Sequence, residues 1–599
     1  MGLAKRGNWA RRGLWLALVA AVALTIGACG EKKEEQSGNS APAPAEQQTT
    51  ATPAPAPAPA TTEPQPAATP APATTEQQAA ATPAPAPAPS AGEKVLKRGI
   101  GATIGTLDPQ VNFLAYEGWI QDDMYEGLIT AGADGEPTPG AAEKWDISDD
   151  GLTYTFHLRD GLKWSDGSPL VAQAFVDAVA RTLLPETASE KNYIFSSTIS
   201  ITGAAAYMDS ENKDARDPKT LGISAPDDKT VVIKLDKQAP YMLYLMNSFY
   251  MAPLHKPSFE KFGKDFIKPE NIVSNGPYHM TENVPQSHVT LVKNPNFWNA
   301  ANVKIDKVTY IITENDATAI KLFKTGEQDI TYDIPSDQLE PLKQELGDQV
   351  HTTNSTETVY FSFNLTKPPF DNIKVRQALS MALDRDTLVN KVVKGGYVMN
   401  CGYVIPVPGY DAPKVPECGM DKAAREEQAK ALFKEGMAEA KMDSLSLKIE
   451  ASNNAAMSKF AETAAVMWKQ TLGVNATVNA QDRDAWLSAF TAGGWDVFMD
   501  DLVGDFAGPE TFLAYMDPRA EAGYNWKSEE FEKLYDQAVA ITDQAARYKV
   551  LAQAEKVLLD SYLTAPVSAA PQRNLVRSNV KGWVDNPTGW HGTQFMSLE

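Results

Sequence analysis

Apolar and polar residues alternate strictly in the segment "LTYTFHLR" (152–159). A period of two is typical of a β-strand that buries one face, so the segment predicts a half-buried strand. Asp-Gly pairs at 150–151, 160–161 and 166–167 predict turns around it. The segment "TVVIKL" (230–235) predicts a second strand. The apolar face of the first strand comprises Leu152, Tyr154, Phe156 and Leu158.

Further along the chain, the apolar residues repeat at helical spacing. "VRQALSMAL" places Val375, Ala378, Leu379 and Ala382 on one helix face. Asp384 is predicted to be the N-cap of a second helix, which ends at Gly395-Gly396. Ser528 and Asp543 are expected to cap two more helices. Their inward positions are Phe531, Leu534, Tyr535 and Ala538 in one, and Tyr548, Leu551 and Leu558 in the other. Strands and helices are mixed throughout, which predicts the α/β class.

Residues 1–28 have the three parts of a secretory signal peptide. Four basic residues precede an apolar run, "GLWLALVAAVALTIG", which is short for a spanning helix of about 20 residues. "Ile26-Gly27-Ala28-Cys29" resembles the bacterial lipobox, in which the cysteine is lipidated and becomes the new N-terminus. The alternative is an uncleaved anchor with an incidental cysteine. Gly30 is not the Asp that resembles an inner-membrane retention signal, which favours the outer membrane in a Gram-negative cell.

Residues 29–94 are rich in Ala, Pro and Thr and contain no aromatic residue. Such a segment cannot bury enough apolar surface to offset the entropy of ordering, so we expect a disordered tether. Frequent Pro favours extended chain, and roughly 60 residues can span on the order of 100–190 Å. A spacer from the membrane is the interpretation that we favour over a ligand for an SH3-like domain.

The chain has 599 residues, which is too long for one ordinary core and predicts several domains. Its formal charge is −21. Net acidity argues against nucleic acid as a partner, because phosphate contacts need a basic face; its simplest role is solubility. The six histidines show no metal-ligand spacing, and no P-loop, GxGxxG or GxSxG motif occurs. We therefore expect no catalytic residues, no metal and no cofactor.

The chain has three cysteines, Cys29, Cys401 and Cys418. The last two enclose a loop rich in Pro and Gly, "GYVIPVPGYDAPKVPE". In an exported protein we expect Cys401 and Cys418 to form a disulfide, which leaves Cys29 for the lipid. Two free thiols are the alternative.

Several segments, in this order along the chain, resemble the periplasmic oligopeptide-binding proteins of ABC importers, the extracellular solute-binding family 5. The resemblance extends over essentially all of 95–599, and its longest block is 140–178. The segments are "TLDPQ" (106–110), "DDMYEGLIT" (122–130), "GAAEKWDISDDGLTYTFHLRDGLKWSDGSPLVAQAFVDA" (140–178), "NIVSNGPYHM" (271–280), "LVKNPNFWNA" (291–300), "GEQDITYDIP" (326–335) and "VRQALSMALDRDTLVNKVV" (375–393).

The resemblance implies a periplasmic-binding-protein-like fold, with two lobes around a cleft and a third, smaller domain. Two chain crossings between the lobes would serve as the hinge. The expected boundaries are 95–140, 248–356 and 572–599 for lobe I, 141–247 for the extra domain, and 357–571 for lobe II.

In this family an Asp of lobe II receives the α-ammonium group of the ligand. The matching pattern here is "GDFAGPETFL" (504–513), which implies Asp505 as that residue, with Phe506 beside it. The alternative is an ordinary loop aspartate. Tyr332, Tyr360 and Phe113 fall where the family lines its cleft, and each can equally be a packing residue.

One departure concerns the other end of the ligand. Relatives that hold short peptides place Arg or His residues near the ligand carboxylate. Here "GGWDVFMDDLV" (493–503) contains no Arg, and Asp500 and Asp501 stand there instead. This pattern predicts a bias toward positively charged ligands. The alternatives are that the C-terminus of the ligand meets the protein differently, or that the ligand is not a free linear peptide.

The resemblance implies a substrate-binding protein, the lipobox-like sequence implies a lipoprotein, and the missing catalytic motifs lead us to expect that it is not an enzyme. It would act as a monomer in the periplasm, anchored to the bilayer through acylated Cys29, and would deliver peptides to an inner-membrane ABC permease. The alternatives are a receptor for cell-wall (murein) peptides, a peptide hydrolase, and a spacer of the cell envelope, for which about 500 globular residues are more than the role requires.

Overall fold

The computed structural model describes residues 92–112, 114–209, 216–520 and 524–599. The predicted signal peptide, Cys29, nearly all of the predicted tether and Phe113 lie outside these ranges. The strands are β1 (Val95–Ile100), β2 (Ile129–Ala131), β3 (Pro137–Pro139), β4 (Ala142–Ile147), β5 (Thr153–Leu158), β6 (Ile223–Asp227), β7 (Thr230–Lys234), β8 (Tyr278–Val284), β9 (His288–Lys293), β10 (Lys307–Ile312), β11 (Val350–Phe363), β12 (Val398–Met399), β13 (Ser446–Ser452), β14 (Asn475–Gln481), β15 (Val497–Val503), β16 (Thr564–Leu575), β17 (Val580–Lys581) and β18 (Ser597–Leu598).

The α-helices alternate with these strands. They are α1 (Ala115–Met124), α2 (Gln173–Leu183), α3 (Ala204–Met208), α4 (Ser248–Met251), α5 (Lys256–Phe262), α6 (Asp316–Thr325), α7 (Leu339–Leu346), α8 (Ile373–Met381), α9 (Lys422–Glu439), α10 (Ala455–Leu472), α11 (Arg483–Ala492), α12 (Pro509–Tyr515), α13 (Glu529–Val539) and α14 (Gln544–Ser561). Two π-helical segments, Ile194–Thr198 and Thr387–Val393, and short 3₁₀ turns join them. The mixed architecture confirms the predicted α/β class.

Three larger sheets organise the described residues, and the pairs β2-β3 and β17-β18 form two small two-stranded sheets. Sheet A has the order β1-β10-β9-β8, with β1 and β10 parallel. Sheet B has the order β4-β5-β7-β6 and is antiparallel. Sheet C has six strands in the order β12-β16-β11-β15-β13-β14. Both predicted strands belong to sheet B, and β5 buries Tyr154, Phe156 and Leu158 as its alternation predicts.

Each sheet has its own apolar core. The core of sheet B consists of residues from the range 128–251, with one exception, Phe506. Sheet C is buried on both faces, because Val359 and Phe361 of β11 enter one core while Tyr360 enters the other. Helices cover the two faces, which is why β11 shows no polar alternation at these positions.

Two long strands connect sheet C to sheet A. β11 and β16 pair as antiparallel neighbours from Ser362–Thr564 to Val350–Leu575, with a shift of register between Asn354 and Thr358. Beyond that end, Ile330 bridges to both Arg98 of β1 and Val576. The side chain of Asn574 donates to the carbonyl of Thr331 at 3.0 Å. The end of β16 and the residue after it are therefore tied to the segment beside sheet A by a backbone bridge and a side-chain hydrogen bond.

The predicted helix caps are present. The Ser528 side chain accepts from the amide of Phe531, and the Asp543 side chain accepts from that of Ala546. Asp384 accepts from the amide of Thr387 at 3.1 Å, although the segment that follows is π-helical and ends at Val393. Among the helices of the described ranges, none is both long and apolar enough to cross a membrane.

Candidate ligand-binding site

Asp505 lies in a short turn between β15 and α12, and the local sequence explains the turn. Gly504 packs so closely that a Cβ there would lie 2.7 Å from Cγ2 of Thr511 and 2.9 Å from the ring of Phe512. Pro509 occupies the first turn of α12, where its missing N–H costs nothing. The backbone N–H of Asp505 donates to Oγ1 of Thr511 at 3.1 Å, which fixes the direction of the aspartate.

Two tyrosines from outside sheet C hold the Asp505 carboxylate. Oδ1 accepts from the hydroxyl of Tyr193 at 2.8 Å and from the hydroxyl of Tyr250 at 3.1 Å. Burial raises the pKa of Asp505, and these hydroxyl donors oppose the rise. No Lys, Arg or His of the described residues forms an ion pair with this half-buried carboxylate. The arrangement leaves a negative charge whose natural partner is a cation from outside the chain.

A pocket of about 310 Å³, open to solvent, lies beside Asp505. Its walls combine polar groups with aromatic rings, which suits a ligand that has both a charged end and apolar surface. The residues that line it are Ile129, Thr130, Ala131, Gly135, Pro137, Leu243, Tyr244, Asn247, Asp505, Phe506, Thr588 and Trp590.

Phe506 lines this pocket but is mostly a packing residue. Its ring stacks between Tyr241 and Tyr244, with centroids 5.2 and 5.6 Å away, and only 3% of the residue is exposed. Both tyrosines belong to the core of sheet B, whereas Phe506 follows a strand of sheet C. The ring therefore joins the two cores directly beside Asp505.

Tyr332 and Tyr360 lie in different surroundings. Tyr332 is half-buried against Trp119 (5.0 Å between centroids) and Tyr116, at the edge of a second pocket. Tyr360 has 0% exposure, and its hydroxyl donates to Oδ2 of Asp500 at 3.1 Å. Contact of either tyrosine with a ligand stays a prediction, as does that of Phe113, which lies outside the described residues.

The two adjacent aspartates of β15 point in different directions. Asp500 is buried and accepts from Tyr524 at 2.5 Å as well as from Tyr360, and burial raises its pKa to about 7. Asp501 is half-buried; burial raises its pKa, and the charge of Arg483 opposes the rise. The bias of the ligand toward positive charge stays a prediction, and of this pair only Asp501 is partly exposed.

Glu357, an acidic residue close enough to Asp501 to feel its charge, was not expected from the sequence. Burial, and then the charge of Asp501, raise the pKa of Glu357 to about 8. Asp333 is paired with Arg573, whose Nε and Nη2 bind its two oxygens at 3.1 and 3.0 Å. The sequence also did not reveal Tyr193 and Tyr250 as partners of Asp505, because residues more than 250 positions away leave no local signal.

A half-buried carboxylate held by hydroxyl donors, beside an aromatic pocket between two cores, is typical of a protein that binds a small solute. Among the described residues, no cluster of three or more His, Cys, Asp or Glu side chains is arranged to hold a metal ion. The geometry thus has the features of a binding site for a small solute.

The comparison with protein families identifies the class. The chain belongs to the bacterial extracellular solute-binding proteins, family 5, because the model of the middle part of that family matches residues 136–524. The periplasmic oligopeptide-binding protein OppA of Escherichia coli (strain K12) is 33% identical over 503 residues, covering 83% of this chain and 90% of the relative. The periplasmic murein peptide-binding protein MppA of the same organism is 31% identical over 501 residues, covering 83% and 92%.

A solved structure agrees. Haemophilus influenzae OppA in complex with RPPGFSPFR is similar with a TM-score of 0.71 and 28% identity, covering 85% of this chain and 99% of that one. The predicted family and its fold, two lobes around a cleft with a third, smaller domain, are confirmed. The residue boundaries of the three domains stay a prediction.

Proposed function

We propose that this protein captures peptides in the periplasm and delivers them to an ABC permease of the inner membrane. The observation that carries the proposal is the Asp505 carboxylate, which two tyrosine hydroxyls orient and no basic side chain of the described residues neutralises. The α-ammonium group of a peptide supplies both the missing charge and N–H donors. The relatives named for oligopeptides and murein peptides support the same ligand class.

The test of this function is to identify the ligand. Native mass spectrometry of the protein purified without refolding should show a bound fraction, and tandem mass spectrometry of the released material should give peptide sequences. Calorimetry with synthetic di- to pentapeptides then ranks their affinities. If no peptide is released and none binds, the proposal is wrong.

The same spectra separate two kinds of peptide. Similarity to MppA is close to that of OppA, 31% against 33% identity, so murein peptides are the second candidate ligand. Fragments containing D-amino acids and diaminopimelate would favour the cell-wall ligand, whereas ordinary linear peptides would favour nutrient uptake. Peptides should be recovered intact after incubation, because we propose binding without catalysis.

The anchor is part of the proposal. The lipobox-like sequence before Cys29 supports acylation there, and the composition of residues 29–94 supports a spacer between bilayer and binding domain. The intact mass of the membrane-extracted form should correspond to a chain beginning at Cys29 with acyl groups. A water-soluble form that retains residues 1–28 would contradict the anchor. Light scattering of a form lacking residues 1–92 should give the mass of a monomer.

A further inference from the structure

Lys191 is a buried cation in the segment that carries Tyr193. The residue is 1% exposed and precedes Tyr193 by two positions, just before the π-helical segment begins. Its Nζ donates to the carbonyl of Phe249, to Oδ1 of Asn112 at 3.0 Å and to the carbonyl of Pro109 at 3.3 Å. One ammonium group therefore joins its own segment to two others that are distant in the chain.

The three acceptors match the charged form of the side chain. A protonated lysine has three N–H donors and the neutral amine has two, so all three acceptors are satisfied only while Lys191 is charged. The ring of Phe249 adds to this preference, because Nζ lies 3.8 Å from the ring centroid and the face of an aromatic ring attracts a cation. Neutral groups thus hold the ammonium.

Among the described residues, no carboxylate forms an ion pair with this ammonium. The acidic groups that act on its charge are Asp108 and Glu117. Asp108 accepts from Arg181 at 2.7 and 2.5 Å, and Glu117 accepts from two backbone amides at 2.6 and 2.9 Å. Burial lowers the pKa of Lys191 well below its ordinary value, and the two acidic charges oppose this change. Because a buried cation without a carboxylate partner is costly, an apolar side chain would serve better if the position only filled space.

The contacts of Lys191 reach both hydroxyls that hold Asp505. Its backbone is two residues from Tyr193, and its side chain binds the carbonyl of Phe249, the residue directly before Tyr250. The two tyrosine hydroxyls converge on one oxygen, Oδ1 of Asp505, at 2.8 and 3.1 Å. Lys191 therefore fixes the two segments that orient the carboxylate relative to each other.

We propose that Lys191 is a positioning residue for the ammonium site: it holds the two tyrosine hydroxyls in the arrangement that makes Asp505 selective for a free amino group. The inference rests on the proposed peptide-binding function, in which Asp505 receives the α-ammonium group of the ligand. Because Lys191 is buried, it acts through the tyrosines and not on the ligand. Its contribution is confined to the part of the affinity that depends on the free amino group.

The test measures the affinities of one tripeptide and of its N-acetylated form by calorimetry at pH 7, where most of the α-amino group is protonated. Lys191→Met keeps a side chain of similar length and removes the charge and the N–H donors. It should weaken binding of the free tripeptide by at least about fivefold and change that of the acetylated form by less than about twofold. Lys219→Met removes an exposed lysine of the same part of the chain and should change neither affinity.

The same substitution in the Asp505→Asn background separates positioning from a general effect on the fold. Without the carboxylate the tyrosines have no charge to orient, so Lys191→Met should then change the affinity for the free tripeptide by less than about twofold. Lys191→Gln is measured as well, because its amide keeps two N–H donors and supports the fold if Lys191→Met unfolds. It should lose the discrimination in the same direction, since it cannot satisfy all three acceptors.

The outcomes are distinct. A loss that is confined to the free tripeptide and disappears in the Asp505→Asn background supports the proposal. Equal losses for both peptides, an unchanged discrimination, or a loss that persists in the Asp505→Asn background overturns it, while peptide binding itself stands. Unfolding of both lysine variants also overturns it, because Lys191 then holds the fold and not the site. A wild type that binds neither peptide, or both equally, overturns the proposed ammonium site and this inference with it.

Discussion

At the scale of single residues, burial changes the pH at which a carboxyl group ionises, and Asp500 is an example. Its carboxylate is 3% exposed and depends on two tyrosine hydroxyls in place of water. Burial raises its pKa to about 7, well above that of an unfolded aspartate. The stabilising contribution of the neutral acid is therefore complete below about pH 4 and is lost as the pH rises through about 7.

Asp500→Asn should remove this pH dependence, because an amide cannot ionise. Between pH 4 and pH 8 the free energy of unfolding of the variant should rise relative to the wild type, by at most about 4 kcal/mol, since one pKa unit corresponds to about 1.4 kcal/mol. Chemical denaturation at several pH values measures the difference. The exposed Asp348→Asn variant should follow the wild type throughout. Parallel curves for Asp500→Asn and wild type would contradict the assignment.

Elements of secondary structure were predictable where the signal was local. The alternation of β5 and the caps at Ser528 and Asp543 depend on a few neighbouring residues, and all three are present. The segment after Asp384 differs, because its π-helical geometry has no periodic signature in seven residues. Tyr360 was expected at the cleft from its place in the chain, and that stays a prediction. Its burial in sheet C comes from packing on both faces of the sheet, which no local pattern encodes.

The loop between β12 and α9 is an element held by two different constraints. Cys401 and Cys418, 17 residues apart, are joined by a disulfide. The loop also donates to the buried Glu555 carboxylate of α14, from the amides of Tyr403 and Val404 and from the hydroxyl of Tyr410. The loop therefore keeps a second set of attachments when the disulfide is absent.

The double variant Cys401→Ser, Cys418→Ser should lose about 3 kcal/mol in the free energy of unfolding, the value expected for closing a loop of this length. Peptide affinity should change by less than about twofold, because Glu555 still positions the loop. Urea denaturation and calorimetry measure the two quantities. A large loss of affinity at unchanged stability would show that the disulfide acts on the binding site instead.

At the scale of the whole molecule, the site depends on contacts between parts that are far apart in the chain. The sequence motif was enough to identify Asp505. Its hydrogen-bond partners Tyr193 and Tyr250, and the aromatic rings that stack on Phe506, come from the distant segment 193–250. Such pairings follow from how the cores meet, and no local pattern encodes them.

Phe506→Ala should weaken the contact between the cores of sheets B and C. Removing a buried phenylalanine ring lowers the free energy of unfolding by about 3–5 kcal/mol. Here the lost packing is that of Phe506 against Tyr241 and Tyr244. The ligand-free variant should show a larger radius of gyration than the wild type in small-angle X-ray scattering, and a faster peptide off-rate. Phe595→Ala removes a ring that is 38% exposed and should change neither value. An unchanged radius of gyration for Phe506→Ala would mean that other contacts hold the cores together.

The most direct test of the account is a double comparison at Asp505. The affinities of one tripeptide with a free amino group and of its N-acetylated form are measured by calorimetry on the wild type and on Asp505→Asn, at pH 7. We predict that acetylation weakens binding to the wild type by at least about tenfold, and that Asp505→Asn loses this discrimination while its melting temperature is maintained. Equal affinities of the two peptides for the wild type would contradict the central claim that Asp505 binds the amino group of a peptide.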